Sequence, residues 1–280
     1  MSNRLWGCSI WACALASTLL LQGRAHAQLR VCTQNITNYN GTLIPDLQNV
    51  YYGEYQGRFM RPDVVITTEF ISQTAVNTFL SILNTAPASP GDWAAAPFVN
   101  GPDTDTAFFY RTSKAALIAT TVVSVGSVAP NHPRNIMRYD IRVAGYAGDA
   151  AVLACYGTHM KSGSASGDQA RRLVEAIKVR DDAELLIPAW HFLIGGDMNV
   201  QTSTQAAYQE LVGLQVNNDG RFFDPIASPG SWNNNASFRF IHTQDPIGTS
   251  GMDDRHDQIL VAQSLIDGAG LDYIGSPGTP

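Results

Sequence analysis

Cysteine is scarce in this chain, which carries four in 280 residues. Cys8 and Cys13 lie in an N-terminal segment that we expect to be removed. Cys32 and Cys155 remain, and each stands inside an apolar run typical of a strand, where a cysteine packs as a small hydrophobic side chain. Export would also permit a disulfide between them, so both states stay open. Two cysteines without clustered histidines do not provide the spacing of a zinc site.

The sequence also has no excess of positive charge. It contains 18 Lys and Arg against 24 Asp and Glu, a formal net charge of −6. Without residues 1–27, which hold two arginines and no acid, the balance is 16 − 24 = −8. This charge argues against a broad basic patch for non-specific binding to phosphate backbones. A phosphate ester bound through a divalent cation remains compatible with it.

No apolar run is long enough for a comfortable membrane span, which needs about 20 residues. The longest, residues 8–21, follows Arg4 and precedes Ala25-His26-Ala27, a small-x-small cleavage pattern. This order is typical of a signal peptide over residues 1–27, with Gln28 as the new N-terminus. We therefore expect a secreted protein, periplasmic or extracellular, without a transmembrane segment.

Hydrophobic periodicity predicts strands alternating with a few helices. The predicted strands are 29–36, 63–68, 106–110, 115–125, 136–143, 151–157, 191–197 and 259–262, and the predicted helices are 73–83, 169–186 and 206–214. The strands between 106 and 143 are expected to form an antiparallel meander, and Asp168 is expected to cap its helix. Residues 87–102 and 222–250 are expected to be irregular. We find no repeat or change in composition, which favours one α/β domain over residues 28–280 with two packed sheets and helices outside.

The most informative motif is Gly195-Gly196-Asp197-Met198-Asn199, which follows a short apolar run. Side chains alternate along an extended chain, so Asp197 and Asn199 should point to the same side. The glycines remove bulk where a ligand or another backbone comes close. A carboxylate beside a carboxamide suits activation of water and stabilisation of a charged oxygen. Because Gly-Asp also begins ordinary turns, the motif alone leaves both interpretations open.

Polar residues close three other predicted strands: Asn35, Glu69 and His159. Each also has a plain interpretation, as a turn residue, a helix cap or a surface histidine. Strands of a sheet deliver their C-terminal ends to a common rim, so these side chains are expected to meet Asp197 and Asn199 there. A carboxylate for a hard cation, two amides, a histidine and a second carboxylate predict metal-assisted hydrolysis.

In order and spacing, these motifs resemble the endonuclease/exonuclease/phosphatase superfamily, whose fold is deoxyribonuclease I-like. The resemblance covers most of residues 28–280. It implies an α/β fold, a four-layer sandwich of two packed mixed β-sheets with helices outside. The motifs that carry it are Asn35, residues 62–69, 158–162 and 196–199, and the segment 256–262, His-Asp-Gln-Ile-Leu-Val-Ala.

The resemblance implies a Mg²⁺-dependent phosphoesterase, with a nuclease as the leading subclass. Glu69 would hold Mg²⁺, or Mn²⁺ or Ca²⁺ in its place, with help from Asn35. His159 would contact the scissile phosphate. Asp197 would orient or deprotonate the attacking water, and Asn199 would bind a phosphoryl oxygen.

Two further positions are similar to family residues. Asp257 looks like the aspartate that supports a catalytic histidine or the metal site. Arg134 is similar to an arginine that contacts phosphate, although a surface salt bridge would explain it almost as well. The family's last strand follows a Ser-Asp-His motif that this sequence does not contain, so we expect the domain to lack that interior strand. His256, beside Asp257, is the one late histidine next to a carboxylate and could substitute.

Other functions stay open. A catalytically impaired or truncated relative could act as a secreted binding protein. A lipid phosphodiesterase, such as a sphingomyelinase, would favour exposed aromatic residues in loops. Trp93 and Trp232 stand in loop-like regions, and burial of either side chain is the alternative. The leading expectation is a monomer that acts on a phosphate ester, with nucleic acid as the first candidate substrate.

Overall fold

The computed structural model describes residues 28–244 and 251–275. The predicted signal peptide over residues 1–27 lies outside the described residues, as does the end of the predicted irregular segment, 245–250. No helix in the described ranges is both long and apolar enough to cross a membrane.

Strands and helices follow one another along the chain in the alternating order that the sequence predicts. The strands are β1 (Val31–Tyr39), β2 (Glu54–Tyr55), β3 (Arg58–Phe59), β4 (Val64–Phe70), β5 (Trp93–Ala95), β6 (Asp105–Arg111), β7 (Ala115–Ser124), β8 (Ile136–Val143), β9 (Val152–His159), β10 (His191–Asp197), β11 (Phe222–Phe223) and β12 (Asp257–Ala262). The helices are α1 (Ile44–Tyr52), α2 (Gln73–Thr85), α3 (Ser166–Glu184) and α4 (Ala206–Val212).

The strands form two mixed sheets and one small hairpin. The four-stranded sheet has the order β1-β4-β6-β5, and the six-stranded sheet has the order β11-β12-β10-β9-β8-β7. The pairs β1–β4 and β9–β10 are parallel, and the other pairs in both sheets are antiparallel. The hairpin pairs β2 with β3.

Three buried apolar clusters separate four layers. An aromatic cluster that includes Tyr39, Phe79 and Phe109 joins α1 and α2 to the small sheet. A second cluster joins α3 and α4 to the large sheet, and a third lies between the sheets, with Ile66 facing Leu193 across the gap. Burial of these apolar side chains is the main driving force for this layering. The predicted four-layer α/β sandwich is confirmed.

Three local predictions were wrong. The strand β6 joins the small sheet, so the meander contains only β7, β8 and β9. Both faces of β6 are buried, with Phe109 against α2 and Phe108 between the sheets, and period-2 alternation does not say which sheet such a strand joins. Helix α3 begins at Ser166, so Asp168 lies in its first turn and pairs with Lys161 at 3.1 Å instead of capping. The predicted loop 87–102 contains β5.

The two cysteines within the described residues, Cys32 and Cys155, are free. Cys155 is fully buried between the sheets, and Cys32 lies on β1. Burial raises the pKa of both thiols well above the usual range, so neither forms a reactive thiolate at neutral pH. The interpretation of both as small apolar side chains is confirmed.

Candidate active site

The predicted site residues meet at one rim of the sandwich. In the large sheet, Asp197 at the end of β10 pairs in register with His159 at the end of β9 and with Asp257 at the start of β12. In the small sheet, Asn35 on β1 lies opposite Thr68 on β4, one residue before Glu69. The two sheets therefore present two carboxylates, a histidine and an amide at a common edge, with a third carboxylate from β12.

One carboxamide joins the two sheets. The Nδ2 of Asn35 donates to Glu69 Oε1 at 2.8 Å and to Asp197 Oδ2 at 2.9 Å. The Oδ1 of Asn35 accepts the backbone N–H of Thr37 at 2.9 Å. In this arrangement Asn35 holds Glu69 and Asp197 at a fixed separation, and its oxygen is engaged by the backbone.

Two residues of the site have left-handed backbone conformations. Glu69 has φ +67° at a register shift in β4, and its Oε2 accepts the backbone N–H of Asn38 at 2.8 Å. Asn199 has φ +50°, its backbone N–H donates to Asp197 Oδ1 at 3.0 Å, and its Nδ2 donates to the carbonyl of Met160 at 3.1 Å. Such conformations are costly for non-glycine residues and occur where surrounding contacts hold them in place.

The glycines of the motif allow the close approach of neighbouring backbone and side chains. Gly196 has φ +144°, and a Cβ there would collide with the carbonyl oxygen of Thr158 on β9. A Cβ on Gly195 would lie 2.9 Å from the Ile66 Cδ1 of the facing sheet. The motif therefore brings Asp197 beside His159 and lets the two sheets meet closely under the site.

Asp257 is the least satisfied carboxylate of the site. Its Oδ2 accepts the side chain of Gln244 at 2.6 Å, whereas its Oδ1 is buried and has no hydrogen-bond partner among the described residues. Burial, and then the charge of Asp197, raise the pKa of Asp257 to about 7, while the hydrogen bond from Gln244 and the polar backbone of Asn35 nearby oppose the rise. Two carboxylates in register on adjacent strands thus have different environments.

Gln244 also contacts the site carboxylates, and the sequence did not predict this residue. Its Nε2 also donates to Asp197 Oδ2, at 3.2 Å, so it links Asp197 and Asp257. It lies in a segment without periodicity, and no motif marks it.

His159 is buried between two carboxylates. Its Nδ1 lies 3.8 Å from Glu69 Oε1, and its Nε2 lies 3.7 Å from Asp197 Oδ2. Burial lowers the pKa of His159 and the charge of Arg134 lowers it further, although Asp197 and Glu69 act in the opposite direction. The net direction is downward, so the imidazole is neutral at neutral pH and can donate one hydrogen bond and accept another.

Arg134 lies near the site cluster, which consists of Asn35, Glu69, His159, Asp197 and Asp257. No hydrogen bond or ion pair within the described residues joins Arg134 to this cluster. Its Nη2 lies 3.1 Å from Asp103 Oδ2, and its Nε donates to Thr104 at 3.1 Å. Its Nη1 is buried and has no partner in the part of the chain that the structure describes. The salt bridge that the sequence allowed is present, and the Nη1 amino group of Arg134 has no protein partner among the described residues.

The ring of His256 lies outside the site cluster. Its Nε2 is 3.5 Å from Asp254, and its carbonyl accepts the backbone N–H of Met198 at 2.8 Å. No hydrogen bond or ion pair in the described ranges joins its ring to Asp197 or Asp257.

The carboxylate oxygens of Glu69, Asp197 and Asp257 are of the kind that a hard cation prefers. Across residues 28–244 and 251–275, no group of three or more His, Cys, Asp or Glu side chains has an arrangement that could hold a metal ion. Mg²⁺, however, commonly takes one or two carboxylates and keeps several waters. The crowding of Glu69, Asp197 and Asp257, together with the unpartnered oxygen of Asp257, is the environment that a cation would relieve.

Known proteins resemble this chain in structure and not in sequence. No family model matches it, and the search of curated proteins gives no match. A β-hairpin deletion mutant of beta toxin from Staphylococcus aureus is 14% identical, with a TM-score of 0.55 over 91% of this chain and 95% of that one. A humanized D. rerio TDP2 with 14 mutations is 14% identical, with a TM-score of 0.56 over 84% and 83%.

A third structure connects the fold to a family name. An endonuclease/exonuclease/phosphatase family protein from Bacteroides thetaiotaomicron is 18% identical, with a TM-score of 0.50 over 84% of this chain and 83% of that one. This chain has the deoxyribonuclease I-like fold. The resemblance inferred from the sequence motifs is thus confirmed at the level of fold. In the deoxyribonuclease I-like fold of this chain, the rim described above is where the polar ends of the strands converge.

Neither tryptophan of the lipid-phosphodiesterase alternative is exposed. Trp93 is buried on β5, and its Nε1 donates to the Tyr52 hydroxyl at 2.6 Å. Trp232 is fully buried, with the Arg255 guanidinium 4.8 Å from its ring centroid. Both side chains fill the protein interior, so neither is the exposed loop aromatic that a lipid phosphodiesterase would favour.

Proposed function

We propose that this chain is an exported, metal-dependent phosphoesterase that hydrolyses phosphodiester bonds by attack of water, with nucleic acid as the leading substrate class. One observation carries the proposal: Asp197 accepts hydrogen bonds from Asn35, Asn199 and Gln244 and lies 3.7 Å from His159. A carboxylate held in this way keeps a fixed orientation toward a bound water.

Each side chain has a role that follows from its contacts. Asp197 would orient the attacking water and take its proton. Neutral His159 and the Asn199 amide would donate hydrogen bonds to the phosphoryl oxygens as negative charge develops there. Arg134 would use its unpartnered Nη1 on the same phosphate.

Glu69 would hold Mg²⁺, or Mn²⁺ or Ca²⁺, with Asn35 keeping the Glu69 carboxylate in place. When bound, the cation would stabilise charge on the phosphoryl and leaving oxygens. Asp257 would complete the acidic surroundings of Asp197. Residues 1–27 carry the pattern of an export signal, which supports a secreted protein, and we propose that it acts as a monomer.

The decisive experiment compares Asp197→Ala with Asp219→Ala, which removes an exposed carboxylate in the loop between α4 and β11. Cleavage of bis-p-nitrophenyl phosphate and of a labelled oligonucleotide is followed with Mg²⁺ and with EDTA. We expect Asp197→Ala to lower kcat/KM by about 10²–10⁴-fold, the usual contribution of a positioned general base, and Asp219→Ala to leave it unchanged.

EDTA should abolish cleavage. Cleavage that survives EDTA or Asp197→Ala would contradict the proposal. Binding of Mg²⁺ or the oligonucleotide without turnover would instead favour the alternative of a secreted binding protein.

A further inference from the structure

Two charged residues of helix α3 are buried, and the proposed hydrolysis does not use either of them. Arg172 is 0% exposed and Glu175 is 1% exposed. They stand three positions apart, so they lie on the same face of the helix. Charges at this depth cost free energy of folding unless hydrogen bonds satisfy them. The bonds that these two side chains form therefore indicate what they stabilise.

Both side chains bind the main chain of one short segment, residues 160–163, which directly follows β9. The Nη1 of Arg172 donates to the carbonyl of Lys161 at 2.5 Å and to the carbonyl of Gly163 at 2.8 Å. The Oε2 of Glu175 accepts the backbone N–H of Lys161 at 2.9 Å. Helix α3 thus holds the segment 160–163 through three main-chain groups, one of them bonded to a carboxyl and two to a guanidinium.

The same segment is bonded on its other side to site residues. The backbone N–H of Met160 donates to the carbonyl of Asp197 at 2.9 Å, and the carbonyl of Met160 accepts the Nδ2 of Asn199 at 3.1 Å. His159 is the residue directly before Met160. A continuous series of hydrogen bonds and peptide bonds therefore runs from α3 to the ends of β9 and β10.

This connection bears on the direction of the Asn199 amide. A carboxamide nitrogen has two N–H groups, and Asn199 uses one of them on the carbonyl of Met160. The planar amide then fixes the direction of the second N–H, the one proposed to stabilise a phosphoryl oxygen. A shift of the Met160 peptide would turn that N–H and would also move the backbone that carries the His159 ring.

We propose that Arg172 and Glu175 are positioning residues of the rim, which act from α3 through the segment 160–163 on the Asn199 amide and on His159. This inference rests on the proposed hydrolysis of phosphate esters at the rim. Neither residue touches the substrate in this role. Their contribution is the geometry of two groups that donate hydrogen bonds in the transition state.

Glu175 fills this role as a neutral group. Burial raises the pKa of Glu175 to about 8, although the bond from the Lys161 N–H and the charges of Arg134 and Arg172 oppose the rise. At pH 7 its carboxyl is protonated and still accepts the Lys161 N–H. Glutamine has the same shape and the same acceptor, so it can replace the protonated carboxyl.

The same helix carries a matched control. Arg180 is 1% exposed and, like Arg172, donates to main-chain carbonyls, in this case those of Glu210, Gly213 and Asn217. These carbonyls belong to the end of α4 and the loop before β11, where none of the proposed site residues stands. Arg172 and Arg180 thus share their burial and their kind of bonding and differ in the segment that they hold.

The first test compares Arg172→Lys with Arg180→Lys. Lysine keeps the positive charge but lacks the planar arrangement of donors, so it holds two carbonyls less firmly. With bis-p-nitrophenyl phosphate and Mg²⁺ at pH 7, we expect Arg172→Lys to lower kcat by about 10–100-fold with little change in KM. Arg180→Lys should leave both constants unchanged. Urea unfolding should show a loss of stability in both variants, so a loss of stability alone does not explain a fall in kcat.

The second test uses Glu175 and applies also if Arg172→Lys does not fold. Glu175→Met removes the acceptor and leaves the Lys161 N–H buried without a partner, whereas Glu175→Gln keeps the acceptor. We expect Glu175→Gln to have a kcat at least about fivefold higher than that of Glu175→Met. Equal values of kcat for the two variants would contradict the role given to Glu175.

A third readout does not depend on turnover. The NMR signals of the His159 ring and of the Asn199 side-chain amide are identified by their loss in His159→Gln and Asn199→Asp. Arg172→Lys should shift both signals, and Arg180→Lys should shift neither. If the unsubstituted chain does not cleave the diester, the proposed function fails, and this comparison still decides the inference. Unshifted signals in Arg172→Lys, or equal effects of the two lysine variants on kcat or on the signals, would overturn it.

Discussion

The rim and the groove between β1 and the large sheet, which Leu29, Val31, Leu193, Ile259 and Val261 line, use the same two strands, β1 and β12, but they differ in what surrounds their polar groups. At the rim, Asp197 accepts three side-chain or backbone donors, and Glu69 accepts two. The Nδ1 of His159 and the Nη1 of Arg134 are buried there without a partner in the described residues. In the groove, Thr33, Asp257 and Gln258 each keep a buried polar atom without a partner in the described residues. Both regions therefore keep unpartnered polar atoms, but those of the rim lie among charged side chains, whereas those of the groove lie among mostly apolar ones.

The largest expected effect tests how tightly the rim is built. Gly196→Ala forces a Cβ against the Thr158 backbone at φ +144°, and we expect a loss of at least about 3 kcal/mol in the free energy of unfolding. Gly268→Ala is the matched change at the groove, because Gly268 has φ +81° and open space around it. It should cost only about 1 kcal/mol. Urea unfolding measures both, and similar losses would remove the contrast in packing.

A second test uses the pH dependence of stability. Burial raises the pKa of Asp257 to about 7 in the folded protein, so the folded state holds a proton that the unfolded state has lost above its ordinary pKa near 4. Stability from this group is present at low pH and declines as pH rises towards 7. Asp257→Asn removes the decline, and we expect the variant to gain on the order of 2 kcal/mol over the unsubstituted protein at pH 7.5 and little at pH 4.

Urea titrations at both pH values, without divalent cations, check this result. Asp219→Asn, at an exposed position, should show no such difference. A gain for Asp257→Asn that is the same at pH 4 and pH 7.5 would show that the Asp257 carboxyl does not titrate in this range.

The smallest expected effect compares two threonines on adjacent paired strands. The Thr33 hydroxyl in the groove has no partner in the described residues, whereas the Thr67 hydroxyl donates to the Ala107 carbonyl at 3.0 Å. Thr33→Val should stabilise the chain by about 0.5–1 kcal/mol, and Thr67→Val should destabilise it by about 1–2 kcal/mol. Thermal unfolding of the two variants measures the difference. If Thr33→Val is also destabilising, the Thr33 hydroxyl has a hydrogen-bond partner in solution.

The sequence predicted the rim because its residues stand at places that periodicity can locate. Asn35, Glu69, His159 and Asp197 each close an apolar run, and the ends of such runs are visible without a structure. The depth of each residue in its sheet, and therefore the direction of each pKa shift, depends on the opposing sheet and could not be predicted. Gln244 was missed because its segment has no period, and its position is set by contacts with residues distant in sequence.

The fold was predictable in its layers and less so in its connections. Alternation identified β6 as a strand but could not assign it to a sheet, because both of its faces are buried. Helix α1 gave no clear signal, since it is only nine residues long and starts after a left-handed Leu43 without a side-chain cap. The sequence also did not predict the groove. Its walls come from strands about 230 residues apart in the chain, and hydrophobic patterns describe each strand separately.

The Asn35 carboxamide has a consequence for how this protein responds to its ligands. It lies on one sheet and holds Asp197 on the other, a partner 162 positions away in sequence. A cation or phosphate bound at the rim would thus contact both halves of the sandwich at once, and would bind far more weakly to either half alone. Its binding free energy would act as a clamp against separation of the sheets, so that occupancy of the site and resistance to unfolding or proteolysis would rise together.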